Sequence, residues 1–287
     1  MKLINTFFRT TNIALFPPKR RFVSFLIPKG PIIFSRESSR LILRLSKDEM
    51  IMKSNVYKYS VQPEDVDQTC LSTIPSLYRK AISAVASNIR KEGYGIDVLS
   101  EKGQTWVLAR CGIEIFKRPE LYSELSIAVW KGEEDSICYS RNVEIYGASG
   151  ELIGCGITDW SILDKDSHRP VVANLKSPLE AKAVICNKPR RIIQFEGGHT
   201  THGQVGYSEC DFNGHLNNGR YVDWFFNLLP EKVTALSSRI RLDINFKREI
   251  LKGTDIIASV KEMCNGHIDF CIRQNCGIAC LASLSLV

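Results

Sequence analysis

The segment with the clearest capacity for chemistry is the polar run DFNGHLNNGRY, residues 211–221. Asp211, Asn213 and His215 alternate within it, and two asparagines follow where an apolar helix begins. A carboxylate, an amide and an imidazole placed together can hold a polar group and move protons near neutral pH. Asn and Asp are also ordinary helix caps, but five polar side chains in eight residues exceed what a cap requires.

The elements around this run occur twice in the chain, so the sequence contains a degenerate internal repeat. The first copy has a short strand pattern at 57–61 and a helix pattern from about Pro75 to Ile89. The second copy has a strand pattern at 203–207 and a helix pattern from about Asn218 to Leu228. Apolar residues at i, i+3, i+4 and i+7 predict that each helix lies on a core.

Each predicted helix is followed by strands rich in aromatic and β-branched residues and separated by Gly or Asn turns. They are predicted at 105–116, 125–130, 137–145 and 152–160, and again at 239–246, 255–260, 267–273 and 278–286. The predicted fold class is therefore α+β, with two tandem units that each wrap a helix in a curved antiparallel sheet. The predicted domains are an N-terminal extension (1–52), a first unit (53–170), a linker (171–194) and a second unit (195–287).

The first copy lacks the polar run and so provides an internal control. At the positions of Asn213 and His215 it has a threonine and a leucine. Downstream, both copies contain Phe-Lys-Arg, after which the second has Glu249 where the first has Pro119. Because the fold is common to both copies and these residues are not, they indicate chemistry, and Glu249 is a candidate general base.

The positive charge of the chain is concentrated at its N-terminus. Residues 1–49 contain ten Lys or Arg and three acidic residues, which account for the whole formal net charge of +7. The remaining residues are balanced, so they do not present the basic face of a nucleic-acid-binding domain. The extension is interpreted as a transit peptide, a membrane-surface arm, or a segment upstream of a natural start at Met50 or Met52.

Other classes of protein are disfavoured by composition. No apolar run of 18 or more residues is present, so no membrane span is predicted. Ten cysteines without a CxxC pair or a disulfide framework favour a reducing compartment. His199 and His202 lack a third nearby ligand, and zinc sites need three or four. The sequence therefore predicts neither a metal nor a cofactor.

The run at 211–221 resembles the D-x-N-x-H-[VL]-N-N-x-x-Y motif of acyl-ACP thioesterases in the hotdog superfamily. Further stretches similar to that family lie at 106–110, 113–119, 160–164 and 246–249. The resemblance implies a double hotdog fold, release of free fatty acid from acyl-[acyl-carrier protein], and a site of Asp211, Asn213, His215 and Glu249. Plant members have a cysteine after the glutamate, whereas this chain has Ile250, which leaves a cysteine nucleophile unsupported.

For thioester hydrolysis we expect Glu249 to activate a water molecule and Asn213 to hold that water or the carbonyl. His215 would carry protons or polarise the carbonyl, and Asp211 would orient the group through hydrogen bonds. The amides at the start of the following helix would favour the negative charge of the oxyanion.

The implied substrate needs a slot for its acyl chain and a surface for its carrier. The predicted slot residues are Leu77, Ala81, Ile82, Val85 and Trp106. Because carrier proteins are acidic, basic residues are expected to assist docking. The predicted docking residues are Arg190, Arg191, Arg220 and Arg239. The expected oligomeric state is a monomer or a homodimer.

Two other functions fit the same residues. An acyl-CoA thioesterase can carry a similar run around His215, so the site residues cannot separate the two substrates. A non-catalytic acyl-binding protein would keep the fold and need none of the polar residues. The expected compartment is the bacterial cytoplasm, or the plastid stroma if residues 1–49 are a transit peptide.

Overall fold

The computed structural model describes residues 55–173, 175, 181–182, 184–229, 239–263 and 266–286. The predicted N-terminal extension, residues 1–52, lies outside them. The first half contains β1 (Val56–Ser60), α1 (Ile74–Lys91), α2 (Ile96–Glu101), β2 (Gln104–Ile115), β3 (Glu124–Glu134), β4 (Tyr139–Tyr146) and β5 (Leu152–Asp164). The second half contains β6 (His199–Gln204), α3 (Asn218–Asn227), β7 (Ile240–Phe246), β8 (Asp255–Glu262), β9 (Ile268–Gln274) and β10 (Gly277–Leu286).

The strands described form one ten-stranded sheet in the order β1-β3-β4-β5-β2-β7-β10-β9-β8-β6. This order is palindromic, because the first five strands repeat in the last five with their order reversed. Neighbouring strands of this sheet are antiparallel, and β2 pairs with β7 at the centre, where Ile113 lies opposite Leu242. The two halves are therefore related by an approximate two-fold axis at the β2–β7 pair. The predicted α+β fold of two tandem units is confirmed.

Helix α1 forms where the sequence supplies both a cap and an apolar face. The Thr73 hydroxyl accepts a hydrogen bond from the Ser76 amide at 3.2 Å, which satisfies one of the free amides of the first turn. Gly93, with φ 85°, follows the helix end. Leu77 and Val85 are fully buried against the sheet, and burial of each such side chain contributes about 1.5–3 kcal/mol.

Helix α3 is built in the same way on the second half. The Asn217 side chain accepts from the Gly219 amide at 2.9 Å and caps the helix. Tyr221, Val222 and Phe225 point into the core, where Phe225 packs on Phe270 with ring centroids 4.9 Å apart. Both helices begin and end close to the predicted residues.

Two elements differ from the sequence-based prediction. The first strand of the second half is β6 at His199–Gln204, whereas residues 207–209 form a single 3-10 turn. The prediction of a strand at 203–207 was therefore wrong by about four residues. β6 is an edge strand that pairs with β8 alone and is largely exposed, so it lacks apolar alternation. In the first half, the connection after α1 contains a short helix, α2, that was not predicted.

A buried polar seam crosses the outer side of the β2–β7 pair and holds the chain that joins the halves. Asp243 is fully buried and accepts from Arg241 at 2.9 and 2.7 Å and from the Arg190 side chain at 2.7 Å. Arg241 also donates to Glu114 at 2.6 Å. The Arg190 carbonyl accepts from the Asn245 side chain at 2.8 Å. Arg190, predicted as a docking residue, is instead part of this seam.

Candidate active site

Asp211 orders the loop that carries the polar run. Its carboxylate accepts from the amides of Asn213 at 2.9 Å and His215 at 3.4 Å. Its own amide donates to the His215 carbonyl at 2.8 Å, so the loop closes on itself. Gly214 takes φ 75°, a conformation that side-chain-bearing residues rarely adopt. Asp211 thus acts on its neighbours through the backbone.

The loop brings His215 to Glu249. His215 Nδ1 lies 3.1 Å from Glu249 Oε2, and the two side chains are 28% and 51% exposed. The contact follows from pairing of the backbone, since His215 forms a β-bridge with Leu251 and the Leu216 amide donates to the Ile250 carbonyl at 2.7 Å. A carboxylate beside an imidazole, open to water, is suited to general acid–base chemistry.

A groove of about 700 Å³ lies between the loop and helix α1 of the first half. Its lining includes Arg79, Ile82, Ala86 and Trp106 from the first half and Asp211, Asn213 and Gly219 from the second. Neither His215 nor Glu249 is among the lining residues. The structure therefore places the four predicted site residues in two pairs. Asp211 and Asn213 line the groove, and His215 contacts Glu249. The loop at 211–215 carries three of these four residues.

The first-half wall of the groove agrees only in part with the predicted slot. Ile82 and Trp106 line it, whereas Leu77, Ala81 and Val85 are buried in the core. Those three were therefore wrong as slot residues, because they lie on the face of α1 that packs on the sheet. Arg79, Ile82, Ala86 and Arg90 form the uncovered stripe of α1, and their helical spacing could have revealed it.

Two tryptophans stiffen this wall. Trp106 and Trp160 pack edge to face with ring centroids 6.4 Å apart. The Trp106 indole N–H donates to the Tyr94 carbonyl at 2.8 Å, and that of Trp160 donates to the Thr158 hydroxyl at 2.8 Å. Trp160 also lines the groove, and its contribution was not predicted. Both rings are held in place, so the apolar wall is formed before any ligand binds.

The helix N-terminus is partly occupied. The Gly219 amide donates to the Asn217 side chain, and the Arg220 amide donates to the Asn217 carbonyl at 2.8 Å. A Cβ on Gly219 would lie 2.6 Å from Arg79 Cγ, so α1 and α3 approach closely here. The dipole of α3 remains directed at the groove.

Tyr221 holds the segment after β7 that bears Glu249. Its hydroxyl donates to the Arg248 carbonyl at 3.5 Å, and its ring packs on Phe246 with centroids 5.3 Å apart. Burial, together with the nearby Cys280, Glu249 and Asp211, raises the pKa of Tyr221 well above its ordinary value. The phenol therefore stays neutral and acts as a donor.

The structure corrects the counterpart of Glu249 in the first half. The Ser72 amide donates to the Pro119 carbonyl as the Leu216 amide does to Ile250, so Pro119 corresponds to Ile250 and Arg118 to Glu249. The sequence comparison was one residue out, because the shared Phe-Lys-Arg triplets do not occupy equivalent positions after the strands.

The equivalent site in the first half is closed by an ion pair. Arg118 pairs with Asp67, the counterpart of Asp211, and its Nε donates to the Ser72 carbonyl at 2.6 Å. The Arg118 side chain is 8% exposed. With Leu71 in place of His215, this half has a cation and an apolar residue where the second has a base and an imidazole.

The other predicted docking arginines are engaged elsewhere or lie in the joining segment. Arg220 pairs with Asp223 at 3.0 Å on the surface of α3. Asp223 also pairs with Arg79 of α1, which joins equivalent positions of the two helices. The Arg239 guanidinium lies 4.2 Å from the centroid of the Phe116 ring. Arg191 is exposed in the segment before β6.

None of the helices in the described part of the chain has the length and apolar character needed to cross a bilayer. Within the same residues, no three His, Cys, Asp or Glu side chains group as metal ligands. The nine cysteines it includes are all free thiols.

A palindromic ten-stranded sheet with one long helix in each half, and a polar site in only one of them, defines a double hotdog protein. Solved structures support this class. The chain is similar to an acyl-ACP thioesterase from Bacteroides thetaiotaomicron, with a TM-score of 0.76 and 21% identity over 82% of this chain and 99% of that one. It is also similar to the 12:0-ACP thioesterase from Umbellularia californica, with a TM-score of 0.69 and 14% identity over 81% and 97%.

Family models match both halves. The acyl-ACP thioesterase N-terminal domain matches residues 53–174, and the C-terminal domain matches residues 195–279. The chain therefore belongs to the acyl-ACP thioesterase family. It is similar to oleoyl-acyl carrier protein thioesterase 2, chloroplastic, of Arabidopsis thaliana, with 22% identity over 241 residues, 76% of this chain and 64% of that relative. Its Coriandrum sativum relative is 26% identical over 54% of this chain and 46% of its own length. The chain thus spans about half to two thirds of these relatives.

Proposed function

We propose that this protein hydrolyses the thioester of fatty acyl-[acyl-carrier protein] and releases the free fatty acid. The observation that carries the proposal is the 3.1 Å contact of His215 with Glu249 beside the loop ordered by Asp211. The first half keeps the fold and lacks this contact. Membership of the acyl-ACP thioesterase family supports the choice of substrate.

In the proposed reaction, Glu249 takes a proton from a water molecule whose oxygen attacks the thioester carbonyl. His215, hydrogen-bonded to Glu249, moves the proton towards the sulfur as the C–S bond breaks, so the products are a carboxylic acid and a thiol. Asn213 lines the groove and holds the carbonyl or the water, while Asp211 positions the loop. The dipole of α3 favours the oxyanion of the tetrahedral intermediate.

The acyl chain lies in the groove along α1 in this proposal. The wall of Ile82, Ala86, Trp106 and Trp160 is apolar, and Asn213 lies on the opposite side. The slot is therefore shared between the halves: the first supplies the wall and the second supplies the chemistry.

Ala86→Phe is expected to shift selectivity towards shorter acyl chains. Ala86 is exposed in the groove, seven residues and about 10 Å along α1 from Arg79. A phenyl ring there shortens the slot, and turnover of long-chain substrates should fall by about tenfold or more. Measured kcat/KM for a series of acyl-carrier proteins tests this, with Ala148→Phe in the β4–β5 turn as the matched control. An equal loss for short and long chains would argue against the proposed position of the chain.

The substrate class is tested by rates of hydrolysis of matched acyl-carrier-protein and acyl-CoA esters by the full chain. A preference for the carrier-protein esters is expected. A preference for CoA esters would make the protein an acyl-CoA thioesterase of the same fold. Binding without turnover of either ester would make it a non-catalytic acyl-binding protein.

Several finer statements remain our predictions from the sequence. They are a role in fatty acid biosynthesis, a monomeric or homodimeric state, the domain boundaries at 53–170, 171–194 and 195–287, and the bacterial cytoplasm as compartment. The relatives are chloroplast proteins by name. Their names support the alternative in which residues 1–49 act as a transit peptide to the plastid stroma.

A further inference from the structure

Large apolar side chains are exposed around the His215–Glu249 pair. Tyr207 is 82%, Phe212 64% and Leu251 55% exposed. Leu251 forms the β-bridge with His215, and Phe212 lines the groove beside Asn213. These large apolar side chains therefore remain exposed to solvent on the segments that carry His215 and Glu249.

Two exposed cations accompany them. The Lys252 ammonium lies 5.5 Å from the centroid of the Tyr207 ring, and the Lys252 amide donates to the Gly214 carbonyl at 3.2 Å. Arg248 is exposed directly before Glu249. We call Tyr207, Phe212, Arg248, Leu251 and Lys252 the rim. The rim combines apolar area with positive charge.

The first half shows that the fold does not require the rim. Equivalent hydrogen bonds, Tyr122 amide to Val61 carbonyl and Gly253 amide to Val205 carbonyl, align the halves at this edge. At the equivalent rim positions the first half has Pro63, Gln68, Lys117, Glu120 and Leu121. None of these five residues is aromatic, an acid replaces Leu251, and the exposed Tyr122 stands where the second half has Gly253. The first half therefore lacks this set of apolar and cationic residues.

We propose that the rim is the surface on which the acidic carrier protein docks. This inference rests on the proposed function and specifies its partner contact. Lys252 and Arg248 face the acidic side of the carrier, which raises the association rate and sets its orientation. Tyr207, Phe212 and Leu251 cover the apolar part of the contact, where the arm that holds the thioester enters the groove. The four arginines predicted from the sequence do not form this surface.

The test compares two palmitoyl thioesters that differ only in the carrier. Wild type, Lys252→Glu and Tyr207→Ser are assayed with palmitoyl-carrier protein and with palmitoyl-pantetheine, which lacks the protein. Both variants should raise KM for the carrier-protein ester roughly five- to tenfold, with kcat for either ester unchanged. Lys58→Glu on the exposed face of β1 is the charge-matched control and should match wild type. The effect of Lys252→Glu should shrink as salt is added, because the contact is screened.

A second measurement separates failure of docking from failure of the proposed function. Binding of a carrier protein that bears palmitate through a non-hydrolysable amide is measured by titration calorimetry, so turnover is not needed. Weaker binding by both rim variants supports the proposal. Unchanged binding, or equal losses with both esters, overturns it. A change in sedimentation of Tyr207→Ser would assign the rim to a contact between two copies of the chain and would also overturn it.

Discussion

Glu249→Gln is expected to lower kcat for hydrolysis of acyl-carrier protein by a factor on the order of 10²–10⁴, the range for loss of a positioned general base. The amide keeps the shape of the side chain and can still contact His215, but it cannot accept a proton from water. Because Glu249 is half exposed, the free energy of unfolding should change by no more than about 0.5 kcal/mol. Single-turnover rates and denaturant unfolding of the same sample measure both quantities.

Glu262→Gln, an exposed glutamate at the end of β8, is the matched control and should retain the wild-type rate. Retention of activity by Glu249→Gln would show that another group acts as the general base, and His215 would be the next residue to test. KM should change little in either variant, because neither glutamate lines the groove.

Asp243→Ala is expected to lower the free energy of unfolding by about 3–5 kcal/mol, the cost of leaving a buried charge without its partner. Asp243 is fully buried, and it receives hydrogen bonds from Arg241 and Arg190. Its removal leaves Arg241, whose side chain is 7% exposed, with Glu114 as its only carboxylate partner in the described seam. Equilibrium unfolding in urea measures the loss.

Asp223→Ala provides a sharp control. Asp223 also pairs with two arginines, Arg79 and Arg220, but its side chain is 25% exposed and theirs are 34% and 43% exposed. Such pairs contribute about 0–1 kcal/mol. Burial is thus the main difference between the two carboxylates. If the two variants lost equal free energy of unfolding, the buried seam would not stabilise the β2–β7 junction between the halves.

The same seam predicts a dependence on pH. Burial by itself would raise the pKa of Asp243, but hydrogen bonds from Arg241 and Arg190 outweigh it and hold the pKa below the ordinary value of 3.8. A depressed folded-state pKa contributes stability above the unfolded-state value, and this contribution is lost as pH falls through the folded-state pKa. Wild type should therefore lose stability below about pH 4, and Asp243→Ala should show a shallower acid dependence over that range.

Many elements of the fold follow from local sequence patterns and were therefore predictable from the sequence. The two helices follow from apolar spacing on α1 and α3 and from the caps at Thr73 and Asn217. The long strands follow from their apolar residues, and the two-unit plan follows from the repeat. The polar run was also recognisable, because its side chains exceed what a helix cap needs and the first copy lacks them.

Other features were decided only by the tertiary structure, because they depend on contacts between distant segments. An edge strand with one partner carries little apolar pattern, so β6 was misplaced. Backbone pairing makes Arg118, and not Pro119, the first-half equivalent of Glu249. Packing of the halves turns one stripe of α1 into a groove wall and draws Arg190 into the seam. The sequence by itself determined which residues could do chemistry, whereas the pairing of β2 with β7 and the packing of α1 against α3 determined which surfaces they share.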